Sequence, residues 1–103
     1  MNKIHMSPSA QNDLLEIKAY IEDELLNPPA AVATISRIIQ SLRILETYAY
    51  AGASLDSVTD IKSDYRYLVS GNYISFYRVY GADIYIDRVL YAARDYMQVL
   101  FNG

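Results

Sequence analysis

The stretch Tyr65-Arg66-Tyr67-Leu68-Val69-Ser70-Gly71-Asn72-Tyr73-Ile74-Ser75-Phe76-Tyr77-Arg78-Val79-Tyr80, continued by Ile84 to Tyr91 and by Arg94-Asp95-Tyr96, decides how this chain folds. Aromatic and β-branched residues alternate with other types, the period of a pleated strand. Ser70-Gly71-Asn72-Tyr73 and Gly81-Ala82-Asp83 interrupt the pattern with residues that tolerate positive φ. The reading is therefore three antiparallel strands joined by very short turns. If each turn closes through two central residues, Tyr65, Tyr67, Val69, Ile74, Phe76, Arg78, Tyr80, Tyr85, Val89 and Tyr91 share one face. Leu68, Ser75, Tyr77, Val79, Ile84, Ile86 and Leu90 share the other. The second face is expected to pack on helices. The first is too apolar to be left to water. Its expected cover is the segment Tyr96 to Phe101, with the remainder free for a partner.

Upstream, the period lengthens. Lys3 to Met6 is a short strand candidate, with Ile4 and Met6 alternating. Ser7 followed by Pro8 reads as a helix cap and first helical position. Ala10, Leu14, Ile17, Ile21 and Leu25 recur every three or four residues, one face of a helix. Asn27-Pro28-Pro29 ends it, because an interior proline loses a hydrogen bond and clashes with the preceding turn. A second helix starts near Pro29, with Val32, Ile35, Ile39 and Leu42 as its apolar stripe and Ile38 and Leu45 widening it. So short a break predicts an antiparallel helical hairpin. From Thr47 to Asp64 the pattern fades, and a loop with little regular structure is expected.

The chain has 103 residues, 52% of them hydrophobic and 20% charged, the profile of one globular domain; with the helix and strand patterns above, one α+β domain over residues 1–103 is expected. It has no cysteine, so neither a disulfide nor a thiolate zinc site can form, and no metal or cofactor is expected. No apolar run approaches the roughly 20 residues of a membrane helix, and the amino terminus lacks a signal-peptide core, so a cytoplasmic location is expected. The formal net charge of −3 argues against strong direct DNA binding, which rests on phosphate neutralisation by Lys and Arg. The lone histidine, His5, reads as a structural residue of the first strand.

The order strand, helical hairpin, antiparallel strands and short tail resembles the RelE/ParE toxin superfamily of bacterial type II toxin–antitoxin systems. Ala10 to Ile21 is similar to its "A-x-x-D-L-x-x-I-x-x-Y-I". Pro29-Ala30-Ala31 looks like the opening of its second helix. Tyr65 to Val69 and Tyr73 to Val79 look like its central hairpin. Arg88-Val89-Leu90-Tyr91 through Arg94-Asp95-Tyr96 resembles its closing "R-V-L-H-x-R-R-D-Y". The resemblance implies a growth inhibitor held silent by a cognate antitoxin, in a plasmid-stabilisation type of module. ParE-like members inhibit DNA gyrase; RelE-like members cleave mRNA on the ribosome.

Metal-free RNA cleavage needs a base, cations against the developing phosphorane charge and a proton donor. At the position of a key third-strand arginine this chain has Ile74, the closing histidine is Tyr91, and the first paired arginine is Ala93. Those departures make the chain more ParE-like than RelE-like. Were it a ribosome-dependent endoribonuclease instead, Arg66, Arg78, Arg94 and Tyr96 would form the surviving catalytic set. The plain alternative is that Arg78 pairs with Asp87 across strands. An inactive member that only binds antitoxin is the third possibility, to which Ala92-Ala93 points. For binding, the expected contact residues are Tyr65, Tyr67, Ile74, Phe76, Arg78, Tyr85, Tyr91 and Arg94, because tyrosine offers area, little entropy loss and a polar tip.

Overall fold

The computed structural model describes residues 1–57 and 62–101. Its elements are β1 (Lys3–Met6), α1 (Pro8–Ala19), α2 (Pro28–Leu42), β2 (Ala53–Ser54), β3 (Arg66–Ser70), β4 (Tyr73–Tyr80), β5 (Asp83–Tyr91) and α3 (Tyr96–Phe101). The five strands form one sheet in the order β1-β5-β4-β3-β2. The helical hairpin lies on one face and α3 on the other. This is the expected α+β architecture with two additions. β1 runs parallel to β5 at the edge, making the sheet mixed. β2 emerges from the expected loop and pairs with β3; residues 58–61 of that loop lie outside the described residues.

Both hairpin turns form as read. Ser70 pairs with Tyr73 and Tyr80 with Asp83. Gly71 (φ 58°) and Gly81 (φ 62°) carry the positive φ at the first central position, while Asn72 and Ala82 do not. That is the pattern of a type II′ turn, whose twist matches the flanking strands.

The Ser7 hydroxyl caps α1 by accepting from the Ala10 amide at 3.0 Å. The Asn27 carboxamide oxygen caps α2 by accepting from the Ala30 amide at 3.1 Å, so Pro28, not Pro29, opens that helix. Between them α1 widens into a π-helical turn, Tyr20–Glu24. The Asn27 amide then donates to the Ile21 carbonyl (3.1 Å), with Leu26 at φ 51° in the role glycine usually fills.

The stripe of α2 is rotated from the expected one. Ala31, Ile38 and Leu42 are buried, as is Leu45 in the 3-10 turn that follows, whereas Val32 and Ile39 are exposed. A stripe of both sets is wider than one packing face, and the sheet selects the side that meets Tyr77, Ile84, Ile86 and Val89. In α1 the buried face holds Ala10 and Ile21 but also Asp13, while Leu25 is exposed.

The face assignment of the sheet holds for β3, β4 and the first half of β5, then reverses. Tyr77 pairs with Ile86 but Phe76 with Arg88, so β5 carries one extra residue there, Asp87. Such a bulge flips every later side chain to the opposite face. Val89 therefore joins the core under the helices and Leu90 the cluster under α3, the reverse of the expectation. Tyr91 moves with Val89 and packs against Tyr73, ring centroids 6.0 Å apart.

A bulge frees backbone groups that must find partners. Here α1 supplies them. The Ser7 hydroxyl donates to the Asp87 carbonyl at 2.8 Å, and the Ser7 amide donates to the Ile86 carbonyl at 3.0 Å. The Asp13 carboxylate accepts from the Val89 amide at 2.9 Å.

The expected loop is held at its start by Tyr77, fully buried on β4. Its hydroxyl donates to the Ala49 carbonyl and accepts from the Gly52 amide, both at 2.9 Å. Replacing Tyr77 by phenylalanine is expected to cost about 1–3 kcal/mol, because both loop groups lose their partner in a dry site. Urea denaturation of the two proteins measures it; equal midpoints would mean water takes over the hydroxyl's role.

Candidate functional site

The far face of the sheet is built as an aromatic layer under a short amphipathic cover. Phe76, Leu55 and Leu90 are buried there. α3 closes over them: Tyr96 packs on Phe76 (centroids 5.2 Å) and Phe101 meets Tyr65 edge-on (5.9 Å). The predicted cover is thus present, and it takes Phe76 entirely out of reach. Tyr67 and Ile74 are half-buried beneath the same helix. Of the expected contact residues on this face, Tyr85 alone is exposed, toward the β1 edge, and Arg78 is half-buried beside it.

That edge carries a connected row of rings and charges. His5 stacks on Tyr85 (4.9 Å), and Tyr85 meets Tyr80 edge-on (5.8 Å). The Arg78 guanidinium lies over Tyr80 (5.7 Å) and Tyr65 (5.4 Å) and donates to Asp87 at 2.7 Å. Burial pulls Arg78 downward, but the hydrogen bond and charge of Asp87 outweigh it and hold the guanidinium above its ordinary pKa. Burial first, then the charge of Asp87, pushes the Tyr65 phenol upward too. The plain reading of Arg78 as a cross-strand partner of Asp87 is what the structure has. His5 sits within 2.8 Å of Asp83, consistent with its structural reading.

The four residues of the would-be nuclease set do not converge. Arg78 and Tyr96 lie on the α3 side of the sheet. Arg66 turns to the loop, donating to the Gly52 carbonyl (3.0 and 2.6 Å) and the Tyr50 carbonyl (3.3 Å). Arg94 follows β5 on the helix side. Arg88 forms a two-point pair with Asp13 at 2.7 and 2.8 Å, which raises its pKa through the hydrogen bond. Asp13 is only 4% exposed. Among the described residues no three His, Asp or Glu side chains converge to hold a metal ion.

A second site appears on the helix side, beside the Asp13–Arg88 pair. A cleft of about 470 Å³ opens between α1 with its π-helical turn and the ends of β4 and β5. Glu16, Tyr20 and Leu25 form one wall; Tyr73, Tyr91 and Arg94 form the other. Burial, then the neighbouring Tyr91 and Tyr20 phenols, raises the Tyr73 pKa. Tyr91 and Arg94 are thus brought together, but apart from the other expected contact residues. Sequence reasoning missed Asp13, Glu16, Tyr20 and Tyr73. One signal was there: Asp13 lies three residues after Ala10 and four before Ile17, an acid within the apolar face of a helix.

A helical hairpin on one face of a mixed five-stranded sheet, with a short helix closing the other, defines the fold class. A family model described as "ParE toxin of type II toxin-antitoxin system, parDE" matches residues 4–96, and the chain belongs to that family. Its functional class is that of a toxin of a type II toxin–antitoxin pair. A solved structure titled "Chromosomal ParDE TA system from P. aeruginosa" has the same fold, with a TM-score of 0.74 and 22% sequence identity over 88% of this chain and 96% of that one. No curated protein matches the chain significantly. Among the described residues no helix is long and apolar enough to cross a membrane.

Proposed function

We propose that this chain inhibits bacterial growth in the cytoplasm by binding DNA gyrase, and that a cognate antitoxin silences it, as in plasmid-stabilisation modules. The gyrase target follows from the ParE-like resemblance. The observation that carries binding over RNA cleavage is the use already made of three of the four arginines between β3 and α3. Arg66 is spent on loop carbonyls, Arg78 on Asp87 and Arg88 on Asp13. A guanidinium held by a carboxylate is poorly placed to stabilise a phosphorane. His5, the usual kind of base, is tied to Asp83 at the β1 edge.

Pulse-labelling of DNA and protein synthesis minutes after induction tests this, with Ala93→Arg beside the wild-type chain. DNA synthesis is expected to fall first. An earlier fall in protein synthesis would assign the ribosome as target and revive the nuclease reading. Arrest by the arginine variant alone would identify the wild-type chain as a binder of antitoxin that has lost its toxicity; Ala93 is exposed after β5, so the change itself leaves the fold intact.

A further inference from the structure

The sheet is open at β1, and an apolar strip of α2 runs down to that edge. In β1 the Lys3 amide donates to the Ala82 carbonyl and the Ser7 amide to the Ile86 carbonyl, at 2.8 and 3.0 Å. Alternate residues of a parallel ladder face the other way, so Ile4 and Met6 direct their amides and carbonyls outward. The Asn2 amide donates to the Glu46 carbonyl at 2.8 Å, and the Met6 carbonyl accepts from the Gln11 carboxamide at 3.0 Å. Among the described residues no hydrogen bond reaches Ile4 from that side. Beside this gap lies a groove of about 320 Å³, lined by Ile4, Met6, Ile39, Leu42, Arg43 and Glu46. Ile35 and Val32 lie one and two turns before Ile39 on the same face of α2 and extend its apolar wall. Val32 is 57% and Ile39 45% exposed. This strip is the half of the α2 stripe that the sheet leaves unburied.

We infer that this edge and strip are the contact surface of a symmetric homodimer, in which two β1 strands pair antiparallel and two α2 strips meet across the axis. Three features fit a second copy of this chain. First, an edge with outward amides and carbonyls is completed by another such edge. Pairing Ile4 with the partner subunit's Met6, and Met6 with the partner subunit's Ile4, engages all of those groups and centres the axis on His5. Second, the faces agree. Ile4 and Met6 pack on the helix side of the sheet, so the same pairing brings the two strips together there. His5 stacks with Tyr85 on the opposite side, clear of the strips. Third, the rim charges are self-complementary. Arg43 and Glu46 stand 3.6 Å apart, with the Arg43 side chain 72% exposed. A two-fold axis turns each cation toward the other copy's anion, whereas a rim of one sign would repel its own copy. The inference stands apart from the gyrase and antitoxin readings.

The chain has no cysteine, so a single introduced thiol tests the register. Opposed residues of a non-hydrogen-bonded antiparallel pair have Cα atoms about 4.5 Å apart, within disulfide reach. Under mild oxidation His5→Cys is expected to give a covalent dimer, and Leu15→Cys, exposed on α1, is not. Equal linking of both overturns the site. Sedimentation over a roughly hundredfold range of concentration is expected to show a monomer–dimer equilibrium for the wild-type chain. Ile39→Glu, a change at an exposed position, should weaken it at least about tenfold. Arg43→Glu and Glu46→Arg should each weaken self-association. Mixed together they should form a heterodimer, although neither keeps the pair within its own chain. A wild-type chain that stays monomeric, a dimer indifferent to Ile39→Glu, or no heterodimer on mixing overturns the inference. So does a monomer whose Ile39→Cys thiol is shielded from maleimide only when the protein encoded by the adjacent reading frame is added, which would assign the strip to that partner.

Discussion

Replacing Arg88 by alanine is expected to destabilise the protein by about 3–5 kcal/mol, because it strands the Asp13 carboxylate without its cation in a site that is 4% exposed. In a domain of this size that corresponds to a fall in Tm of roughly 12 °C or more. The cost comes from the uncompensated charge rather than from the attraction itself. Hence the double variant Asp13→Leu/Arg88→Met should regain much of the loss, as apolar groups replace both ends. It should not regain all of it. Asp13 also accepts from the Val89 amide at 2.9 Å, and that donor at the bulge is orphaned when the carboxylate goes. Urea denaturation of the single and double variants gives the coupling energy. Strictly additive losses would show that the two groups act independently and that loss of Arg88 does not strand the Asp13 carboxylate.

Gly52→Ala is the second large effect, about 2–4 kcal/mol, and its cause is steric. A Cβ on Gly52 would lie 2.5 Å from the Tyr67 carbonyl oxygen and 2.7 Å from the Tyr77 hydroxyl oxygen. The first is strand backbone and the second a fully buried ring, so neither yields cheaply. Relief requires the loop to back away, which breaks the Gly52 amide bond to Tyr77 and strains the Arg66 bonds to the Gly52 carbonyl. Gly71→Ala is the control: its Cβ would meet nothing within 4 Å, and only the φ of 58° penalises it. That backbone term is about 1 kcal/mol. Thermal denaturation of both variants should separate them clearly. If Gly52→Ala costs no more than Gly71→Ala, the loop is looser than its contacts imply. The same loop anchors β2, so a large loss should bring faster amide exchange at Ala53 and Ser54, whose partners are on β3.

These two variants probe the places where sequence reasoning was weakest. The alternation from Tyr65 onward located the strands, and the two glycines located the turns, since a two-residue connection with positive φ leaves few other residues eligible. The Asn-Pro-Pro break separated the helices. Even the cover over the aromatic face was legible, because Tyr96, Met97, Leu100 and Phe101 are apolar and need an apolar surface to pack on. The candidate site was legible in part. Tyr91 and Arg94 were singled out, but on the wrong side of the sheet in the case of Tyr91, and their neighbours across the cleft were not. Ionic roles fared similarly: the Arg78–Asp87 pair was readable from its diagonal spacing, while the Arg88–Asp13 pair was not.

What the sequence determined by itself is everything whose cause is local: caps, helix period, strand alternation, turn geometry and the family motifs spread through them. Those depend on interactions within a few residues, so they are written in consecutive letters. What only the tertiary structure decided is the Asp87 bulge, the parallel pairing of β1 with β5 and the two-residue strand at 53–54. The bulge exists because Ser7 and Asp13, some eighty and seventy-five positions away in sequence, satisfy the backbone groups it frees. No periodicity encodes such a bond. It forms when the helix docks on the sheet, and it carries Tyr91 across to Tyr73 and so builds the cleft.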